Sequence, residues 1–210
     1  MKIARFALGV SAAVLATTAL GAVPAQAHSR SNGERSLVTV LTKDTSGFDR
    51  NNKDFDVLTA AVKAVLGAKP ASPVKVLADG SVALTAFIPN DGAFRQLAKE
   101  ASGATKLPTE QAAFGIVAGL GIDTVETVLL YHVVPGATIT RKAALRSDGA
   151  ALTTAAGPAI TVDVVCKRSV SLIDADTNDR NPAVVGFDIN KGNKQIAHAI
   201  DRVLRPIDLP

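Results

Sequence analysis

The sequence predicts an α+β domain, helical in its first half and built of antiparallel strands in its second. Two observations carry this. Apolar residues recur at helical spacing between residues 54 and 131, and from Ala151 onward the chain turns to short alternating runs separated by turn formers. A third observation supports them: no strand–helix–strand rhythm repeats, as a parallel doubly wound sheet would need. The chain has 210 residues, 47% of them hydrophobic, which is enough for one sizeable core and tight for two.

Residues 1–27 read as an export leader. Lys2 and Arg5 open it, Phe6 to Leu20 is apolar, and Ala25-Gln26-Ala27 supplies a small-x-small cleavage pattern. The apolar stretch is short for a bilayer span, which needs about 20 residues, and no later segment is as apolar without charges or turn formers. The mature product, starting at His28, is therefore expected to be secreted, without a transmembrane segment, and either released or held non-covalently at the cell surface. Residues 28–36, "HSRSNGERS", are small and polar and are expected to form a flexible leader ahead of the fold.

In "DFDVLTAAVKAVLGAKP", Phe55, Leu58, Val62, Val65 and Leu66 share a helical face; Asp54 is placed to cap its start, and Gly67 with Pro70 to end it. "SVALTAFIP" alternates, with Val82, Leu84, Ala86 and Ile88 on one face, and stops at Pro89. A turn at Asn90-Asp91-Gly92 leads to a short helix from about Ala93. Two more helices fit "TEQAAFGIVAGLG" and "DTVETVLLYHV", the second with Asp123 and Glu126 in a capping-box spacing. Strands follow in "ALTTA", "AITVDVVC", "SVSLIDA", "AVVGFDI" and "QIAHAIDRVL", separated by Gly157-Pro158, Lys167-Arg168, the loop around Asn178, and Gly192.

Composition excludes some functions. The net charge of +4 falls by two when Lys2 and Arg5 leave with the leader, and tryptophan is absent. Nucleic-acid binding, which wants a strong basic excess and stacking aromatics, is not expected. Cys166 is the single cysteine, so no internal disulfide can form; a buried thiol at the end of "ITVDVVC" is favoured over an intermolecular bridge. No nucleophile elbow, zinc-protease helix, dinucleotide fingerprint or phosphate loop is present, so neither catalytic residues nor a cofactor is expected.

Three features could carry chemistry. His132 and His198 lack an evident third metal ligand and read as core histidines held by hydrogen bonds. Asp174, Asp176 and Asn178 occupy positions 1, 3 and 5 of a calcium-loop template, but Asp179 stands where glycine is wanted and Val185 where a bidentate glutamate is wanted. A turn-rich connection is favoured there over a metal site. Tyr131 and His132 sit side by side before Val133-Val134-Pro135-Gly136. On a helix such neighbours diverge by about 100°, so they are expected to close the helix end as structural partners.

Three stretches in order resemble the fasciclin domain family. "LTAFIPNDGAF" resembles its first signature through Phe87, Pro89 and Phe94. "LLYHVVPG" resembles its Tyr-His motif through Tyr131 and His132, and "QIAHAIDRVLRP" resembles its second signature through His198 and Asp201. The resemblance covers residues 37–206, leaving 207–210 as a tail. It implies a wedge of β-strands with helices packed around it, as in secreted one-domain bacterial members. The implied function is extracellular adhesion or binding to proteins or glycans, not catalysis, with Tyr131 and His132 as family motif positions for binding. A monomer is expected. Departures from the pattern are Ile88 before the signature proline, Ala197 between Ile196 and His198, and a long loop from Asp174 to Asn181. The alternative reading is a secreted small-ligand carrier or hydrolase using His132, for which a cavity of a few hundred Å³ should open beside that residue. In the strand reading, Ile196, His198 and Ile200 share one face, and Asp201 faces away toward Arg202 and Arg205.

Overall fold

The computed structural model describes residues 32–207. The cleavage point expected after Ala27, the start of the polar leader and residues 208–210 lie outside the described residues.

Helices dominate the first half: α1 (Leu37–Leu41), α2 (Asp56–Ala68), a 3-10 turn (Pro73–Ala78), then α3 (Asp91–Ser102), α4 (Glu110–Gly119) and α5 (Ile122–Tyr131) around the strand β1 (Leu84–Pro89). After β2 (Val133–Pro135) and α6 (Arg141–Ala144) come β3 (Ala151–Thr153), β4 (Ala159–Val165), β5 (Ser169–Ile173), β6 (Val184–Ile189) and β7 (Gln195–Ile200). The strands form a four-stranded sheet in the order β2-β1-β7-β6 and a three-stranded sheet in the order β3-β4-β5. The expected antiparallel pairs are present at β3–β4, β4–β5 and β6–β7. To these the fold adds a parallel pair, β1 with β7, in register from Leu84↔Gln195 to Pro89↔Ile200.

That pair lies between two cores. Leu84, Ala86 and Ile88 of β1 and Ala197 of β7 pack against the helices. Phe87 and Ile200 pack with Ile160, Val162, Val170 and Leu172 of the second sheet. Alternation still sends side chains to opposite faces, but both faces are covered, so every residue of β1 and β7 is buried. Each large apolar side chain buried there is worth about 1.5–3 kcal/mol. Among the described residues no single helix is long and apolar enough to cross a membrane.

Local signals were partly misassigned by sequence. α2 starts at Asp56, and Asp54 does not cap it. The Asp91 carboxylate reaches across instead, accepting from Asp56 N (3.0 Å) and Val57 N (2.9 Å). Asp123 does not cap α5, which begins one residue earlier behind Gly121 at φ +88°; Asp123 and Glu126 both bind Lys69. α3 starts at Asp91, because Asn90 Oδ1 accepts from Ala93 N at 2.9 Å and ends the turn early.

Residues 33–37 are seated on the fold. Gly33 bridges to Asn193, Arg35 Nε donates to Asn190 Oδ1 (2.7 Å), and the Gln195 amide oxygen accepts from Leu37 N (2.8 Å). Gly80 permits this seating, since a Cβ there would stand 1.7 Å from the Glu34 carbonyl oxygen. Cys166 is exposed and not buried. It and Lys167 adopt positive φ (50° and 57°) at the tip of the β4–β5 hairpin, where the chain has already left the sheet.

Candidate functional site

Tyr131 ends α5 and His132 caps it, and their rings go to different places. His132 Nε2 accepts from Leu204 N (2.9 Å) and Nδ1 lies 2.7 Å from the Val128 carbonyl. An amide can only donate, so the imidazole proton sits on Nδ1 and the ring is neutral. Burial pulls its pKa down to about 4, against the smaller upward pull of the Val128 carbonyl. The Tyr131 hydroxyl donates to Ala159 O (3.3 Å) and accepts from Ala175 N (3.2 Å); burial, and then the charge of Asp174, raise its pKa. The pair joins one helix end to two separate elements, the chain after β7 and the second sheet.

The other motif residues are also spent on the fold. Phe87, Pro89 and Phe94 are buried. His198 stands beside Phe87 and Phe187, with ring centroids 5.8 and 5.4 Å away. Its Nε2 donates to Ile139 O (2.8 Å), Nδ1 accepts from Asp188 N (3.2 Å), and burial lowers its pKa. Asp201 does not pair with Arg202 or Arg205. It accepts from Ala183 N (2.7 Å) and Arg180 (2.6 Å), because β7 ends there and the following residues turn back toward α3. Arg202 and Arg205 both bind Glu100.

In the calcium-like loop, Asp174 Oδ2 accepts from Arg205 N (2.8 Å), while Asp176 (3.4 Å) and Asp179 pair with the Arg205 guanidinium. Asn178 N donates to Asp176 Oδ1 (2.9 Å). A cation from the chain itself thus faces the carboxylates that half-fit the template.

Sequence reasoning missed a second acidic region. Asp49, Asp54 and Asp56 form one group and Asp54, Asp91 and Glu110 another, with one oxygen from each member within 4.8 Å of the others. Burial, and then neighbouring Asp54, push Asp91 up to about 8. Burial also raises Asp56 and Glu110. The dense acidic spelling of residues 49–56 was a signal for part of it; nothing in sequence brings Asp91 and Glu110 there.

A cavity of about 310 Å³ opens beside His132 between α1, α2 and β1, walled by Leu41, Phe55, Leu58, Leu77 and Ile88, with Asp44, Lys53 and Asp54 also on its lining. It has the size of a small-ligand site. Among the described residues no serine, threonine or cysteine lines it, and both nitrogens of His132 are already hydrogen-bonded to backbone. The wall, mostly apolar, can hold an apolar molecule.

The fasciclin domain matches residues 54–206. The chain belongs to the fasciclin domain family. Its structure is similar to that of a FAS1 domain pair from the insect cell adhesion molecule fasciclin I, at a TM-score of 0.55 and 16% sequence identity, covering 82% of this chain and 51% of that one. The likeness is one of fold, and this chain spans about half the length of the insect pair. No curated protein matches the chain. Fasciclin domains are cell-adhesion-associated interaction modules of extracellular and cell-surface proteins, generally without enzymatic activity.

Proposed function

We propose that this fasciclin domain works outside the cell as a secreted adhesive module, docking on surface, matrix or partner proteins or glycans. The observation that carries the reading is the inward turn of the family's motif residues: Phe87, Tyr131, His132 and His198 are all nearly or fully buried and hydrogen-bonded or packed within the domain. They build the scaffold, and recognition falls to the surface it presents. The leader at residues 1–27 supports an extracellular setting. The test is binding of the labelled protein to intact producer cells and to immobilised matrix glycans. Saturable binding competed by unlabelled protein is expected, and its absence from every surface overturns the reading.

The cavity beside His132 favours one second reading, carriage of a small apolar ligand. Native mass spectrometry of protein purified from its producer should then show a bound species of a few hundred daltons, lost when Leu58→Trp fills the space. The hydrolase version draws no support from His132, whose lone pair is already accepting from Leu204 N.

A further inference from the structure

Asp56, Asp91 and Glu110 are each the first residue of a helix, α2, α3 and α4 respectively. The fold brings these three helix starts together with Asp49 and Asp54 from the preceding loop. Helix N-termini attract carboxylates, which explains part of the gathering. It does not explain all of it. Each N-terminus carries about half a positive elementary charge, so the three would offset only about 1.5 of the charge the five carboxylates carry when all are ionised. Among the described residues, none of the five carboxylates forms an ion pair with a lysine, arginine or histidine.

An independent observation points to a ligand. Glu110 is 1% exposed and Asp56 8%, yet Glu110 Oε1 and Asp56 Oδ2 have no hydrogen-bond partner, and neither does the enclosed Asp54 Oδ1. The other Glu110 oxygen is accounted for, accepting from Asp49 N at 2.5 Å. Buried charged groups are normally paired or bound to metal, because an orphaned ionised oxygen forfeits its hydration with nothing in exchange. Three such oxygens in one small region is the pattern of a cation-binding site.

We propose that these residues form a calcium site, with Asp54 the ligand common to both groups and Asp49, Asp56, Asp91 and Glu110 completing it. Oxygen-only donors select a hard cation. Oxygens up to 4.8 Å apart suit calcium, whose bonds of about 2.3–2.6 Å let it bridge that span. Magnesium, with bonds of about 2.0–2.1 Å and a strict octahedron, would need the groups drawn together. The bound ion ties the starts of α2, α3 and α4 to the 49–56 loop. That loop also supplies Lys53 and Asp54 to the lining of the apolar cavity, so calcium would order its rim.

The test uses the full chain freed of metal with EDTA and then given calcium chloride, at ionic strength held constant with sodium chloride. Equilibrium dialysis should show one saturable calcium with a dissociation constant of about 10⁻⁴–10⁻³ M, the range of extracellular modules. About 10 mM calcium should raise the melting temperature by about 4 °C or more, and magnesium at the same concentration by less than half as much. Asp56→Asn removes a repelling charge, so it should melt no lower than the parent in EDTA while losing the calcium shift. Glu110→Gln should lose it too, and Asp123→Asn, on the exposed face of α5, should keep it. Absence of saturable binding, or a full shift retained by both Asp56→Asn and Glu110→Gln, overturns the proposal; an equal shift with magnesium overturns the choice of calcium.

Discussion

Two acidic regions of this domain solve the same problem differently. In the C-terminal region, Asp174, Asp176, Asp179 and Glu100 converge on Arg205, whose side chain is 8% exposed. In the N-terminal region, Asp49, Asp54, Asp56, Asp91 and Glu110 gather with no ion pair to a basic side chain among the described residues. Sequence spacing half-matched a calcium loop in the first, where a turn-rich connection was favoured, and there the chain supplies its own cation. The comparison teaches that a ligand template is read from what is left unpaired after folding, and residue spacing does not report that.

The sharpest way to break the comparison is to remove the internal cation. Arg205→Met should strand the buried Asp176 and release Asp179 and Glu100, costing about 3–5 kcal/mol. Urea denaturation reads this directly. A loss below about 1 kcal/mol would mean that the arginine is not what holds the C-terminal region together.

His132 anchors the same segment one residue earlier, through Leu204 N. His132→Ala leaves that amide and the Val128 carbonyl without their partner and should cost about 1–3 kcal/mol. The melting temperature should fall while the still-folded protein keeps its affinity for cell surfaces. A variant that melts like the parent but no longer binds would make the Tyr-His pair a recognition site.

Acid should separate the regions further. His132 has its folded pKa lowered to about 4 from an ordinary 6.5, so its contribution is present above 6.5 and lost as pH falls toward 4. By pH 5 the loss is about 2 kcal/mol. Asp91 works the other way: with a folded pKa of about 8, its contribution is full below its unfolded value of about 4 and is lost as pH rises through 8. In EDTA, Asp91→Asn should therefore lose stability more steeply than the parent between pH 7.5 and 5. Parallel curves would show that the N-terminal carboxylates do not share protons in the metal-free state.

The smallest effect belongs to a residue outside both regions. Cys166, exposed at a hairpin tip, should react fully with a thiol reagent in the native protein, and Cys166→Ser should shift stability by no more than about 0.5 kcal/mol. A thiol that resists the reagent would place the hairpin tip in a contact.

Much of the architecture was legible because period-2 and period-3.6 patterns are local. Ile160, Val162, Val170 and Leu172 announce their strands by alternation, and Leu58, Val62 and Val65 their helix by spacing. His198 was readable as a core histidine because isoleucines flank it on the same face. The failures share one cause, partners distant in sequence. Asp91 caps α2 from 34 and 35 residues away, which displaced the nearer Asp54. Arg205 takes Glu100 from 105 residues away, which left Asp201 to Arg180. No window of sequence holds Asp54, Asp91 and Glu110 together, and only the convergence of three helix starts reveals them as one group.

The parallel seating of β1 against β7 also sets an order of events. Leu84 cannot meet Gln195 until all the chain between them has been synthesised, so the central sheet, and the floor beneath the helices, wait for β7. Closing a loop of that length before any contact is gained makes for slow folding. During synthesis β1 therefore lies exposed as an apolar ribbon without its principal neighbour. A chain in that condition is vulnerable to aggregation until β7 arrives to cover it.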